Sequence, residues 1–260
     1  MIDRSKDLQP NILTEQFIPD HVFVYLEKGE LECYDGSKNY TFKEGDICIA
    51  RKNRLARYKV KSKIEYKFFC FGEDFLKIIQ KKHNLKPVSL TTKDTFLKIL
   101  NNELLLAFIQ SLSPYFENNQ NIDKTFQDIK YEELLFILLK IQPELAGLFF
   151  DFSVPHKIDL ELFMMKNFTF NVSLQRFAFL TGRSLSAFKR DFKTVFNDTP
   201  SRWLTQKRLQ EAYYLIDKKN KRPSEIYLDL GFEALSHFSF AFKKYFGLTP
   251  SDIIERKANE

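Results

Sequence analysis

Two sets of side chains, 50 residues apart, have the types and spacing that meet a polyanion. In the first, Ser186, Lys189, Arg190 and Lys193 recur at intervals of three and four, which on a helix places them along one face. A guanidinium there can pair with both acceptors of a guanine edge. Ammonium groups suit phosphate oxygens, and hydroxyls suit either. In the second, Ser236, Ser239, Phe240 and Lys243 hold the matching positions, with His237 and Lys244 beside them. Arg190 is the best base-reading candidate. Lys193 and Lys243, nearer the helix ends, suit the backbone, and His237 suits a place near phosphate better than a pH switch. For any one lysine the alternative is a solvated basic face.

These residues belong to an internal repeat. Ser186–Pro200 and Ser236–Pro250 share Ser, Phe, Phe, Lys, Phe, Thr and Pro at identical positions, seven of fifteen. A repeat of this kind means two copies of one supersecondary unit. Each copy has the pattern of a helix-turn-helix. Ser173 is placed to cap a helix carrying Leu174, Phe177 and Ala178. Gly182 supplies the turn, and Ser184 caps the next helix while adding a hydroxyl to the candidate face. Leu185, Phe188, Phe192 and Val195 are predicted to be buried. In the second copy Ser224, Ile226 and Leu230 precede the turn at Gly231, and Leu235, Phe238, Phe242 and Tyr245 form the predicted buried face. Thr-Pro is predicted to end both second helices, because the residue before proline disfavours the helical region. Between the copies, Ser201–Lys219 has the pattern of one long helix, with Trp203, Leu204, Leu209, Ala212, Leu215 and Ile216 on its apolar side and Lys207 and Arg208 on its polar side.

At these residues, from about Ile158 to Ile254, the chain resembles the AraC/XylS family of bacterial transcription regulators. The resemblance rests on Ala178 and Gly182, on Lys207-Arg208-Leu209-Gln210-Glu211-Ala212, on Gly231-Phe232, and above all on the run from Phe238 to Ser251. It implies site-specific promoter binding, most often activation, with RNA polymerase as a partner. Tyr227 stands where the family usually has a small alanine, and Phe240 where it often has arginine. Phe240 weakens base readout by the second unit and instead fits a thymine methyl or packing.

The N-terminal part differs in kind. Residues 1–155 carry 22 basic and 22 acidic residues, so the formal charge of +6 comes entirely from the 18 basic and 12 acidic residues of 156–260. A basic part joined to a neutral one indicates that one of them meets a polyanion. Short apolar runs at Val22–Leu26, Leu31–Tyr34, Tyr40–Phe42, Ile47–Ala50 and Ile64–Phe71, divided by Lys28-Gly29, Asp35-Gly36 and Glu44-Gly45-Asp46, predict a small antiparallel barrel or sandwich. From about Asp74 to Leu148 the period becomes helical, at Phe75-Leu76 with Ile78-Ile79, Phe96-Leu97 with Ile99-Leu100, Leu104–Ile109 and Leu134–Leu139. Phe42–Ile47 resembles the turn and strand of a cupin-like sensory barrel. That resemblance implies control by a small-molecule effector or a regulatory protein, and a homodimer formed through the helical segment.

Other functions find little support. His21 and His83 lack the His-x-His spacing of a metal cupin, the eight glycines include no GxGxxG or P-loop spacing, and no serine or cysteine lies in a nucleophile elbow. No catalytic residue, cofactor or metal is expected. Cys33, Cys48 and Cys70 suit reduced thiols of a cytoplasmic protein. Met1–Pro10 has no signal-peptide core, and Leu134–Leu139 is too short to span a bilayer. The basic run Arg51, Lys52, Arg54, Arg57, Lys59, Lys61 and Lys63 suits a solvated strand edge, or else an anionic effector or acidic partner.

The expectation is an α+β protein. A cupin-like regulatory and dimerisation domain over 1–152, with helices over about 74–150, precedes a double helix-turn-helix DNA-binding domain over 153–260. The alternative is a cupin that binds or modifies a small molecule and carries a nucleic-acid tether.

Overall fold

A computed structural model describes residues 3–4, 16–88, 92–114 and 124–258. Apart from residues 3–4, the Met1–Pro10 stretch lies outside the described residues. The chain divides into two compact units, residues 1–153 and 154–260.

Among the described residues, ten strands form the β part of the first unit: β1 Asp3–Arg4, β2 Phe17–Ile18, β3 His21–Lys28, β4 Glu30–Tyr34, β5 Asn39–Lys43, β6 Ile47–Ala50, β7 Arg54–Leu55, β8 Arg57–Val60, β9 Glu65–Phe71 and β10 Phe96–Ile99. The largest sheet runs β1-β9-β3-β6-β10, a second runs β5-β4-β8, and β2 pairs with β7. Every pairing is antiparallel. The helices of this unit are α1 Glu73–His83, α2 Glu103–Ser111, α3 Lys124–Ile141 and the short α4 Ala146–Phe149. The fold is a cupin-like β domain with a helical layer on one face.

The alternation of side chains explains the layers. Along β3, β6 and β9, Phe23, Ile47, Ile49, Phe69 and Phe71 face the helices, where they meet Leu105, Phe108, Leu134 and Leu138. Their neighbours Val22, Leu26, Cys48, Ala50, Tyr66 and Phe68 point into the interior between the sheets. A central strand covered on both faces is apolar at every position, which is why Ile47–Ala50 is buried throughout. In β4 and β5 only one face is covered, so buried Leu31, Cys33 and Phe42 alternate with charged or polar residues.

The same reasoning corrects one expectation. Phe96-Leu97 with Ile99-Leu100 is a strand, not a helix: β10 pairs with β6 in the register Phe96↔Ala50 to Ile99↔Ile47. Phe96 faces the interior, while Leu97 and Ile99 face the helices. Burial on both faces of a strand yields the i, i+1, i+3 spacing that otherwise marks a helix. Leu100, just outside the strand, is 73% exposed.

The interior between the sheets holds a cavity of about 250 Å³, walled by Phe17, Val22, Leu31, Tyr58, Tyr66 and Phe96 among others. Cys33 and Cys48 also line it. Burial pushes the Cys48 thiol up to about 12 and raises Cys33 as well, so both are protonated and unreactive. The one charged group in the wall among the described residues, Asp46, is engaged by Lys98 Nζ at 2.6 Å and by the Lys43 N–H at 2.9 Å. His21 is buried against Phe149, and His83 binds Glu132 at 2.7 Å. The basic run at 51–63 largely has partners: Arg51 donates to the Thr92 carbonyl, Lys52 meets Glu73 and Lys61 meets Glu32. Among the described residues, no helix is long and apolar enough to cross a membrane.

Candidate nucleic-acid interface

The second unit consists of helices: α5 Leu160–Asn167, α6 Leu174–Leu180, α7 Leu185–Phe196, α8 Pro200–Lys219, α9 Pro223–Ile226, α10 Leu235–Phe246 and α11 Pro250–Ala258. In the first helix-turn-helix, α6 starts at the Ser173 cap, whose hydroxyl accepts the Arg176 N–H. Gly182 turns the chain at φ +66, where a side chain would overlap the His156 carbonyl. Ser184 then caps α7 by accepting the Ala187 N–H at 3.2 Å. In the second, Gly231 turns at φ +79 before α10. Ala234 occupies the N-cap of α10 without a side-chain bond.

Both second helices bury phenylalanines. Phe188, Phe192, Phe238 and Phe242 are fully buried. Trp203 of α8 packs on Phe192 and Phe196 with centroids at 5.5 and 4.5 Å. Ten residues along the same helix, Tyr213 packs on Phe242 and Phe246 at 6.3 and 5.0 Å. One helix thus supplies a large aromatic ring to each unit.

Three expected core positions are exposed instead: Val195, Leu235 and Tyr245, at 46%, 39% and 40%. Phe196 and Phe246 turn inward in place of Val195 and Tyr245. The two phenylalanine rings reach α8 across the last helical turn, while the Tyr245 hydroxyl accepts from Gln210 at 3.2 Å. The helix ends differ too. α7 and α10 stop at Asn197 and Gly247, both left-handed. Pro200 and Pro250 then open α8 and α11. Thr-Pro therefore begins the next helix, where proline's missing N–H costs nothing.

The candidate contact residues lie largely as their spacing requires. Ser184, Ser186, Lys189, Arg190 and Lys193 are exposed along α7 and its cap. Arg190 is 76% exposed and touches Asp191 at 3.3 Å. On α10, Ser236, His237, Phe240, Lys243 and Lys244 are exposed, Phe240 at 68%. Ser239 is half-buried and lines an open groove with Ile216, Leu235 and Ile254.

Two arginines that hold this surface were not evident from periodicity. Arg183 is almost wholly buried, donates to the Ile158 and Thr181 carbonyls, and pairs with Asp191 at 3.1 Å. That pairing, with Lys157 and Arg190 adding to it, holds the Asp191 carboxyl below its ordinary value. Arg208 was expected on the polar face of α8. Instead it donates to three backbone carbonyls: Phe168 at 2.8 Å, Phe170 at 2.8 Å and Gly231 at 3.0 Å. A polar residue on a long amphipathic helix looks solvated from its spacing alone. Only the fold shows that three loop carbonyls converge on it.

Known proteins are similar to this chain in sequence. The family profile of the ExsA N-terminal regulatory domain matches residues 21–148, and that of a helix-turn-helix domain matches residues 177–256. The virulence regulon transcriptional activator VirF of Yersinia enterocolitica is 25% identical over 244 residues, covering 89% of this chain and 88% of VirF. The chain carries an AraC-type helix-turn-helix domain, and the homologues it matches are AraC-family regulators. The HTH-type transcriptional regulator ExsA of Pseudomonas aeruginosa is 30% identical over 126 residues, 47% of this chain and 45% of ExsA. Among solved structures, an apo ToxT variant from Vibrio cholerae aligns with 92% of this chain and 90% of its own, at 14% identity and a TM-score of 0.41. The DNA-binding helix-turn-helix domain occupies residues 177–256.

Proposed function

We propose that this regulator activates transcription by binding promoter duplex through α7 and α10. Arg190 and Lys189 read base edges, Ser184 and Ser186 assist, and Lys193 sets register on the backbone. The second helix reads a weaker motif, with Phe240 against a thymine methyl, and adds grip, with Lys243, Lys244, His237 and the serines near phosphates. The observation that carries this reading is the repeated outward face on two equivalent helices built around one connecting helix. At about 1.5 Å per residue, the 20 residues of α8 span about 30 Å, close to the roughly 34 Å between successive major-groove faces. Activation rests on the activator VirF and requires contact with RNA polymerase.

A selection of full-length protein against random duplexes, with salt titration of the winners, tests this. Two enriched motifs about one helical turn apart support two reading helices. A single motif would reduce the second unit to backbone grip. Salt-sensitive binding without enrichment, from both the full chain and residues 154–260, would end the proposal.

Control falls to the N-terminal unit, as a regulatory and dimerisation domain. Among the described residues its cavity wall is apolar apart from Asp46, which is already paired, so it suits a small uncharged effector rather than an anion. Exposed Leu104, Phe126 and Ile129 on α2 and α3 suit self-association. Sedimentation of the full chain over a range of concentrations checks the homodimer.

A further inference from the structure

We propose that Arg208 fixes the phase between the two recognition helices, and so determines which spacing of two DNA motifs the protein accepts. This rests on the reading that both helices engage duplex DNA.

Three observations meet at one place. The Arg208 guanidinium, on α8, bonds the Phe168 and Phe170 carbonyls in the loop that leads into the first helix-turn-helix. It also bonds the Gly231 carbonyl at the turn of the second. Gly231 itself lies so close that a Cβ there would stand 2.7 Å from the Thr169 oxygen and 2.8 Å from the Arg208 Cζ. One residue beyond Phe170 and two beyond Gly231, Asn171 Nδ2 donates to Glu233 Oε1 at 3.0 Å.

Chemistry explains why arginine holds this position. The planar guanidinium presents donors in fixed directions, so three carbonyls bonded to one group cannot move independently. A lysine has a single nitrogen on a flexible stem and cannot span them. Helix α8 determines how far apart the units lie along its axis. Packing of each unit on α8 limits rotation about that axis, and the bonds from Arg208 to both loops fix what packing leaves. Rotation is what DNA reads: with about 10 to 10.5 base pairs per turn, each added base pair turns a motif by roughly 35°.

The test uses the full chain and the bipartite site found by selection. Affinities are measured on duplexes whose motif spacing is native, shortened or lengthened by one and two base pairs, and on duplexes with one motif scrambled. Wild type is expected to lose about tenfold for a one-base-pair change. Arg208→Lys should compress that preference to about two- or threefold, while its affinity for each scrambled duplex stays within about twofold of wild type. Glu233→Ala, which cuts the surface tie without touching the guanidinium, should compress it partly. Circular dichroism and thermal melts accompany each variant.

An Arg208→Lys protein that melts earlier yet keeps the full spacing preference would overturn the proposal. So would a wild type indifferent to spacing on a two-motif site. If Arg208→Lys fails to fold, Glu233→Ala decides, and an unchanged preference there also refutes it. A wild type that enriches only one motif would instead defeat the two-helix reading on which the proposal stands.

Discussion

The two helix-turn-helix units share an interior and differ at the surface. Phe188, Phe192 and Phe196 recur as Phe238, Phe242 and Phe246, and one connecting helix gives Trp203 to the first set and Tyr213 to the second. The outward positions have drifted: Lys189 faces Ser239 across the repeat, and Arg190 faces Phe240. Their supports differ as well. The first unit has a capped helix and the Arg183–Asp191 pair. In the second, Ala234 and Ala241 stand at the positions of Ser184 and Asp191, and an extra turn residue, Phe232, packs on Phe238 at 5.1 Å. Packing tolerates little change in volume, whereas a solvated face can change one partner base at a time.

The largest expected effects test the shared interior. Phe192→Ala and Phe242→Ala, both fully buried, should each cost about 3–5 kcal/mol in urea melts of the full chain. Unequal losses beyond that range would show that the two cores are not equivalent. Next come the glycines. Gly182→Ala meets both a left-handed backbone and the His156 carbonyl, so about 3 kcal/mol is expected from strain and forced displacement. Gly247→Ala meets open space at φ +77 and should cost about 1 kcal/mol. Gly247→Asn should cost less, since Asn197 already holds that conformation in the first unit.

On DNA the surfaces should separate by kind of effect. Arg190→Ala should lose about 1–3 kcal/mol on the selected site and relax preference at one base pair. Lys243→Ala should weaken all sequences alike and lower the salt slope by about one. Equal behaviour of the two on random duplexes would erase the proposed difference between reading and gripping.

The repeat was legible because its signal is local. Caps such as Ser173 and Ser184, turn glycines such as Gly182, and phenylalanines three and four apart all act within one or two helical turns. What sequence could not separate was a two-sided strand from a helix, as at Phe96–Ile99. Nor could it order competing apolar residues at a helix end, where Phe196 displaced Val195 because a larger ring reaches Trp203. Arg208 was hidden for a third reason: its three carbonyl partners lie 23 to 40 residues away in the chain.

A smaller prediction concerns the helix starts. Ser184→Ala removes the bond to the Ala187 N–H and should cost about 1 kcal/mol. Ala234→Ser offers the uncapped second helix a similar bond and should gain up to about 1 kcal/mol. A gain at Ala234 without a loss at Ser184 would mean that the first unit does not depend on its cap.

The last difference is a response to acid. Arg183 holds the Asp191 carboxyl below its ordinary 3.8 in the folded chain. Between the two values the unfolded chain binds more protons, so stability rises with pH across that window. The contribution is therefore complete above about pH 4 and is lost as pH falls below 3.8 towards the folded value. The second unit has Ala241 at the equivalent position, and its own lowered carboxyl, Asp252, is held by Thr249 at the start of α11 rather than by an arginine. Trp203 is the only tryptophan and its ring packs in the first unit, so its fluorescence reports the packing there. Acid melts followed by Trp203 should steepen below pH 4, and Asp191→Asn should flatten them. An unchanged slope in Asp191→Asn would place the acid sensitivity elsewhere and leave Arg183 holding only its backbone carbonyls.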